Sequence, residues 1–281
     1  MDTIWFRVLG VTLEVCCVHE RCYSELLEFM GSMVLSAKAR CTPDWRLHIS
    51  LEAFDRYLHR ERPAEFEGTP LDGVKYARPG EPTYVDWTSR LPPLVPFHHS
   101  ANQGRFVGLH AACLNIEGLG CIVLPGDRGA GKTTISTLLC RDHYAALLTD
   151  ESTFLHRRTK IVEPLALAMG IHTLGPDHSK DLVAAHRVCG SLALTPAPVA
   201  SICLLARSDD GSSVSKVSEA EALRSLIRHQ LDVGCSWGEA IATLAPLCTE
   251  VPAYRIAWAK FEDIPGLVDK LIAAIGIGKV A

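Results

Sequence analysis

The strongest constraint on this chain lies between residues 121 and 140. An apolar run, Cys121 to Leu124, leads into Gly126, Asp127, Arg128, Gly129, Ala130, Gly131, Lys132 and Thr133, which fit the pattern GxxxxGK(S/T) without a gap. A helical pattern follows from Lys132 to Cys140. Glycines let a backbone bend around an anion with no Cβ in the way, so successive N–H groups converge on the α and β phosphates of a nucleotide. The helix that follows adds its positive N-terminal end. Lys132 has the reach to touch β and γ oxygens, and the Thr133 hydroxyl is placed to ligate Mg²⁺. The nucleotide-binding segment is therefore read as Gly126 through Thr133, with Thr134 next along. The bland alternative is a glycine turn that opens an ordinary helix.

A second apolar stretch, Ala145 to Thr149, reads as a strand and ends in Asp150 and Glu151. In a wound sheet that edge faces the ligand. One acid there serves Mg²⁺, and a second can accept the proton of an acceptor hydroxyl as a phosphoryl group moves. The two residues can take these roles in either order, and a solvated acidic turn is the structural alternative. Arg128, Arg157, Arg158 and Lys160 are candidate partners for phosphate charge, or plain surface cations. His98, His99, His172, His178 and His186 receive no role, because lone histidines more often satisfy structural hydrogen bonds.

Bulk properties bound the rest. With 281 residues, 48% hydrophobic and 21% charged, the sequence suits a folded chain with a sizeable core, arranged as two unequal domains. A formal charge of -4 gives no general attraction to nucleic acid or to anionic membrane. Apolar runs stop short of a membrane span, and Asp2 with no basic leader suggests a cytoplasmic protein. The 11 cysteines form no CxxC pair and read as reduced core residues, with Cys189 and His186 as a weak metal-ligand alternative.

Residues 1–100 suggest a smaller mixed α/β module: strands near Trp5 to Leu9, Thr12 to Val18 and Trp45 to Leu51, a helix from Glu25 to Ala37, and a hairpin across Val74 to Trp87. Pro92, Pro93 and Pro96 mark a joint. Residues 101–281 then alternate strands with helices, the mark of a wound α/β sheet. Its further elements are strands at Leu109 to Ile116, Val199 to Ala206 and Tyr254 to Ala259. Helices are expected from Ser218 to His229, with Ser218 as N-cap, and from Asp263 to Ile275.

The stretch Leu109 to Leu155 resembles the core of the HPr kinase/phosphorylase family and its relatives. The shared order is Leu109-His110-Ala111-Ala112, Gly118-Leu119-Gly120, Gly126 to Thr134, and Leu147-Leu148-Thr149-Asp150-Glu151. Pro198 to Ala206, Ser218 to Leu226 and Val251 to Trp258 are similar to the smaller members found with peptide-modification enzymes. The resemblance implies an HPr-kinase-like P-loop domain over residues 101–281 using ATP and Mg²⁺. Lys132 would hold the β and γ phosphates, Thr133 and Glu151 would serve the metal, and Asp150 would be the base. His110 would support the phosphates or orient that base, with a core role as the alternative. The family commonly carries two aspartates where this chain has Asp150 and Glu151, which opens an exchange of their roles. The glycine-rich C-terminal signature of HPr kinases is missing, so phosphorylase activity and HPr as substrate are disfavoured.

The expected function is thus an ATP- and Mg²⁺-dependent kinase of a hydroxyl, foremost a serine of a ribosomally made precursor peptide, with the N-terminal module helping to recognise the acceptor. Two alternatives stand beside it: a kinase of a small hydroxyl-bearing molecule such as free serine or a sugar, and a nucleotide-dependent switch or ATPase without an acceptor. The residues do not separate ATP from GTP, and they leave assembly as a homo-oligomer open.

Overall fold

The computed structural model describes residues 2–17, 20–36, 42–49, 83–85, 102, 104–142, 145–172 and 180–276. The chain divides into two compact units, Met1–Phe97 and His98–Ala281.

In the first unit β1 (Asp2–Val8) and β2 (Val11–Cys17) form an antiparallel hairpin whose register pairs Phe6 with Leu13 and Ile4 with Val15. Side chains alternate across a strand, so these residues share one face, and all four are buried. Leu9 and Gly10 make the turn at φ 50° and 78°, the double left-handed conformation a two-residue hairpin needs. A leucine there costs ~1–2 kcal/mol. Burial of its side chain, 2% exposed, offsets that cost. The helix α1 (Glu20–Met30) lies against β1 and β2, and gives way to a short 3₁₀ turn at Gly31–Met33. It begins and ends earlier than the expected span from Glu25 to Ala37. β3 (Trp45–Ile49) and β4 (Thr83–Val85) complete the sheet in parallel pairings. Beyond those strands, the expected hairpin over 74–87, the proline joint, His98, His99 and His178 lie outside the described residues.

The second unit is a mixed α/β structure around a 10-stranded sheet. Its first strands are β5 (Phe106–Leu109), β6 (Ala111–Ile116) and β7 (Gly120–Pro125). After α2 (Lys132–Arg141) come β8 (Ala146–Thr149), β9 (Thr153–His156) and β10 (Ile161–Glu163). A separate hairpin of β11 (Ala168–His172) and β12 (Lys180–Ala184) leads to α3 (Ala185–Cys189). The long β13 (Ala197–Arg207) and β14 (Ser213–Lys216) precede α4 (Glu219–Arg228) and β15 (Gln230–Leu231). The chain then passes through α5 (Trp237–Glu250) and β16 (Ala253–Trp258) to α6 (Ile264–Ile275).

The sheet runs β15-β5-β9-β10-β13-β7-β6-β8, with β16 joined to β13 and β14 to β16. Only β7, β13 and β16 pair in parallel within it; the other pairings are antiparallel, which the alternating strand and helix pattern did not reveal. One face packs α2 and α6 against Ala112, Leu114, Ile122, Leu124, Cys203, Leu205 and Ile256 in a single apolar cluster. The strand expected from Leu109 to Ile116 is two strands that break at His110. Its backbone N–H donates to His229 O at 2.7 Å, one register step beyond the Leu109–Gln230 pair of β5 and β15.

The helix α5 has no counterpart in the sequence reading, because Pro246 interrupts its pattern. Its start is nonetheless fixed by a capping box: Ser236 Oγ accepts from Glu239 N–H, and the Glu239 carboxylate accepts from Ser236 N–H. That backbone hydrogen bond is the main cause holding the Glu239 carboxyl below its ordinary range. The contribution is therefore present above the unfolded carboxylate pKa and lost on acidification through the depressed one. No helix among the described residues is long and apolar enough to cross a membrane.

Two substitutions test this packing. In urea unfolding, Leu114→Ala should cost ~2–5 kcal/mol because its side chain is fully enclosed. Ser236→Ala should cost about 1 kcal/mol, less at acid pH than at neutral pH. A neutral outcome for Leu114→Ala would contradict the core described.

Candidate functional site

The loop Gly126 to Gly131 connects β7, which ends at Pro125, to α2, which starts at Lys132. Gly129 and Gly131 sit at φ 83° and 99°, backbone that L side chains rarely adopt. A turn closes where Ala130 N–H donates to Asp127 O at 3.1 Å. The Lys132 side chain is 5% exposed and lies within the loop: its ammonium donates to Gly126 O at 2.8 Å and reaches towards Asp127 O at 3.4 Å.

The loop is held from outside by a residue the sequence did not single out. Trp258, buried at the end of β16, donates Nε1–H to Ala130 O at 2.9 Å. Its ring lies so close that a Cβ on Gly131 would come within 3.3 Å of Nε1. The Arg207 guanidinium stacks over that ring, 4.5 Å from its centroid. Nothing local marks Trp258: it is 128 residues from Ala130 in sequence.

β8 delivers Asp150 and Glu151 to the same end of the sheet. Ser152 N–H donates to Asp150 O at 2.7 Å, and Glu151 between them has φ 62°. This is a γ-turn with its central residue in the uncommon positive region, worth ~1–3 kcal/mol of strain. The base of the turn is pinned by a buried polar chain. Thr149 Oγ1 and Thr153 Oγ1 are 2.6 Å apart, and Thr153 donates to Ala111 O at 2.9 Å.

The turn separates the two acids. Asp150, 8% exposed, places Oδ2 3.5 Å from Thr133 Oγ1. Glu151, 38% exposed, places Oε2 2.6 Å from His110 Nε2 and 4.0 Å from Lys132 Nζ. His110 Nε2 is also 3.3 Å from Lys132 Nζ. One ring nitrogen cannot give a proton to a carboxylate and accept one from an ammonium at once. The shorter, charge-assisted contact prevails, so Nε2 carries the proton and donates to Glu151.

Two residues of α4's C-terminal end reach the loop as well. Arg228 donates to Asp127 Oδ2 at 2.8 Å, and His229 Nε2 lies 3.4 Å from Asp127 Oδ1 while its Nδ1–H donates to Ser225 O at 2.7 Å. Other expected cations are engaged elsewhere. Arg157 donates to Gly104 O at 2.6 Å and pairs with Glu239 at 2.9 Å, and Lys160 pairs with Glu250. These contacts tie α5 to the sheet, and Arg158 is exposed beside them.

The cysteines whose side chains are described, such as Cys113, Cys121, Cys140 and Cys189, are free, and burial pushes the Cys203 thiol up to about 12. Cys189 meets the Met169 sulfur at 3.4 Å. Among the described residues no group of three or more His, Cys, Asp or Glu side chains is placed to hold a metal. Mg²⁺ does not need one, since it takes one or two protein oxygens and completes its shell with water and phosphate. Thr133 Oγ1 and Asp150 Oδ2, at 3.5 Å, are close enough for both to lie ~2.1 Å from one cation, so the residues fit that ion.

Gly131→Ala should destabilise the protein by at least ~1 kcal/mol in urea unfolding, through positive φ and contact with Trp258. An alanine variant as stable as the parent would show that the loop is not held as described.

No protein-family model matches the chain, and no curated protein matches it. Among solved structures it aligns with the HPr(Ser) kinase/phosphatase from Coxiella burnetii at 13% identity, over 59% of this chain and 94% of that one, with a TM-score of 0.33. A likeness this distant assigns neither family nor activity, and the functional reading rests on the chain's own residues.

Proposed function

We propose that the chain is a P-loop kinase that transfers the γ-phosphate of ATP to a hydroxyl. One observation carries the reading: Lys132, buried within the left-handed glycine loop, lies beside Glu151, while its neighbour Thr133 lies beside Asp150. Loop amides and Lys132 would hold the phosphates, and their fixed orientation costs no reorganisation as charge shifts. Mg²⁺, held by Thr133 and Asp150, would neutralise phosphate oxygens. Glu151, oriented by His110, accepts the proton of the acceptor hydroxyl as that oxygen bonds to the γ-phosphorus. The bond to the bridging oxygen breaks, and ADP departs with the electron pair.

These roles exchange Asp150 and Glu151 relative to what the resemblance implies. The support is the pairing of partners: a hydroxyl suited to Mg²⁺ beside Asp150, and a histidine with a lysine beside Glu151. For the acceptor, the resemblance favours a serine of a ribosomally made precursor peptide. A small hydroxyl-bearing molecule is the second reading, and a pocket of about 540 Å³ against the loop favours it, being the size of small-molecule sites.

Labelled ATP incubated with candidate peptides and metabolites tests the reading. A phosphorylated acceptor is expected, with slow ATP consumption when none is present. Rapid release of phosphate with no labelled acceptor would instead identify an ATPase or switch. Lys132→Ala should lower transfer ~10²–10³-fold while circular dichroism stays unchanged. Glu151→Gln should lower turnover at an unchanged Mg²⁺ requirement, whereas Asp150→Asn should raise that requirement. The opposite pattern would return the base to Asp150.

A further inference from the structure

The pocket beside the loop is unusual in its charge. Five arginines line it, Arg128, Arg207, Arg224, Arg228 and Arg255, against two carboxylates, Asp127 and Glu221. Both carboxylates are already engaged: Asp127 with Arg228 at 2.8 Å, and Glu221 with Arg255. Arg207 is stacked on Trp258. Arg128 and Arg224 are exposed and form no ion pair with a described residue. The lining therefore carries a surplus of positive charge, in guanidinium forks that match planar or tetrahedral oxyanions.

The location narrows the occupant. Asp127, Arg128, Gly129 and Ala130 form one wall, so whatever sits there lies against the backbone of the phosphate-binding loop itself. Lys132, Thr133, Asp150 and Glu151 do not line it. A triphosphate held by this loop and the pocket's occupant would therefore be neighbours. A purine is neutral and would leave the arginines unanswered, while a dianionic phosphate monoester would answer them. Leu204, Leu205 and Ala206 at the pocket's apolar side suit the carbon frame of a small molecule.

We propose that this pocket binds a phosphate monoester borne by the phosphoryl acceptor, so that the substrate is a phosphorylated small molecule with a free hydroxyl. The inference rests on the kinase reading and names its acceptor class. Arg224, projecting from α4 without a carboxylate partner, is the residue whose loss reports on the pocket without disturbing the loop.

The test uses the full chain saturated with Mg²⁺ and a non-hydrolysable ATP analogue, so that the loop is filled. Glycerol 3-phosphate, citrate and glycerol are then titrated by calorimetry. Glycerol 3-phosphate should bind and glycerol should not, with affinity reduced at least ~10-fold in Arg224→Ala and partly restored in Arg224→Lys. The analogue itself should bind the parent and Arg224→Ala equally. No uptake of glycerol 3-phosphate, stronger uptake of citrate, or an unchanged affinity in Arg224→Ala would overturn the proposal while the kinase reading stands. Weakened binding of the analogue in Arg224→Ala would overturn it too, by giving the arginine to the nucleotide. Failure of the analogue to bind the parent protein would instead remove the kinase reading.

Discussion

The second unit's proposed chemistry depends on one short piece of backbone in an uncommon conformation. Between β7 and α2 the loop turns through two left-handed glycines, and it is braced from both sides. Lys132 bonds the carbonyl of Gly126 from within, and Trp258 bonds the carbonyl of Ala130 from without. These contacts satisfy two loop carbonyls; in the proposed reading, loop N–H groups other than that of Ala130, which bonds Asp127 O, would meet the anion. Because Trp258 ends β16 and its ring supports Arg207 of β13, the parallel strands β7, β13 and β16 act together as the loop's foundation.

Opposite the loop, an equally constrained turn sorts two adjacent acids into different surroundings. Neighbouring side chains on a continued strand would point to opposite faces. Here the positive φ of Glu151 brings its carboxylate back towards His110 and Lys132, while Asp150 stays buried near Thr133. The break in the strand at His110 belongs to the same device. Its backbone N–H bonds His229 at the end of the β5–β15 pairing, and its ring meets Glu151. Backbone irregularity and the proposed chemistry coincide at three positions, 110, 131 and 151.

What the sequence made legible was local. The glycine-rich loop, the apolar strand before it and the acids after β8 can be read because each is a run of neighbours with a fixed spacing. The Ser218 cap of α4 is of the same kind, and its hydroxyl does accept from Glu221 N–H. Partners brought in by tertiary packing could not be read: Trp258 against Ala130, Arg228 and His229 against Asp127. The helix α5 carried a readable capping box at Ser236, masked by Pro246. The antiparallel strands β9 and β10 were hidden because they are short and carry no helix between them.

If the braced loop is a triphosphate site, its affinity for nucleotide should depend on Mg²⁺. Calorimetric titration of the folded protein with ATP, with and without Mg²⁺, tests it most directly. One saturable site is expected, with an affinity that rises when Mg²⁺ is present. No measurable binding of ATP or GTP under either condition would contradict it.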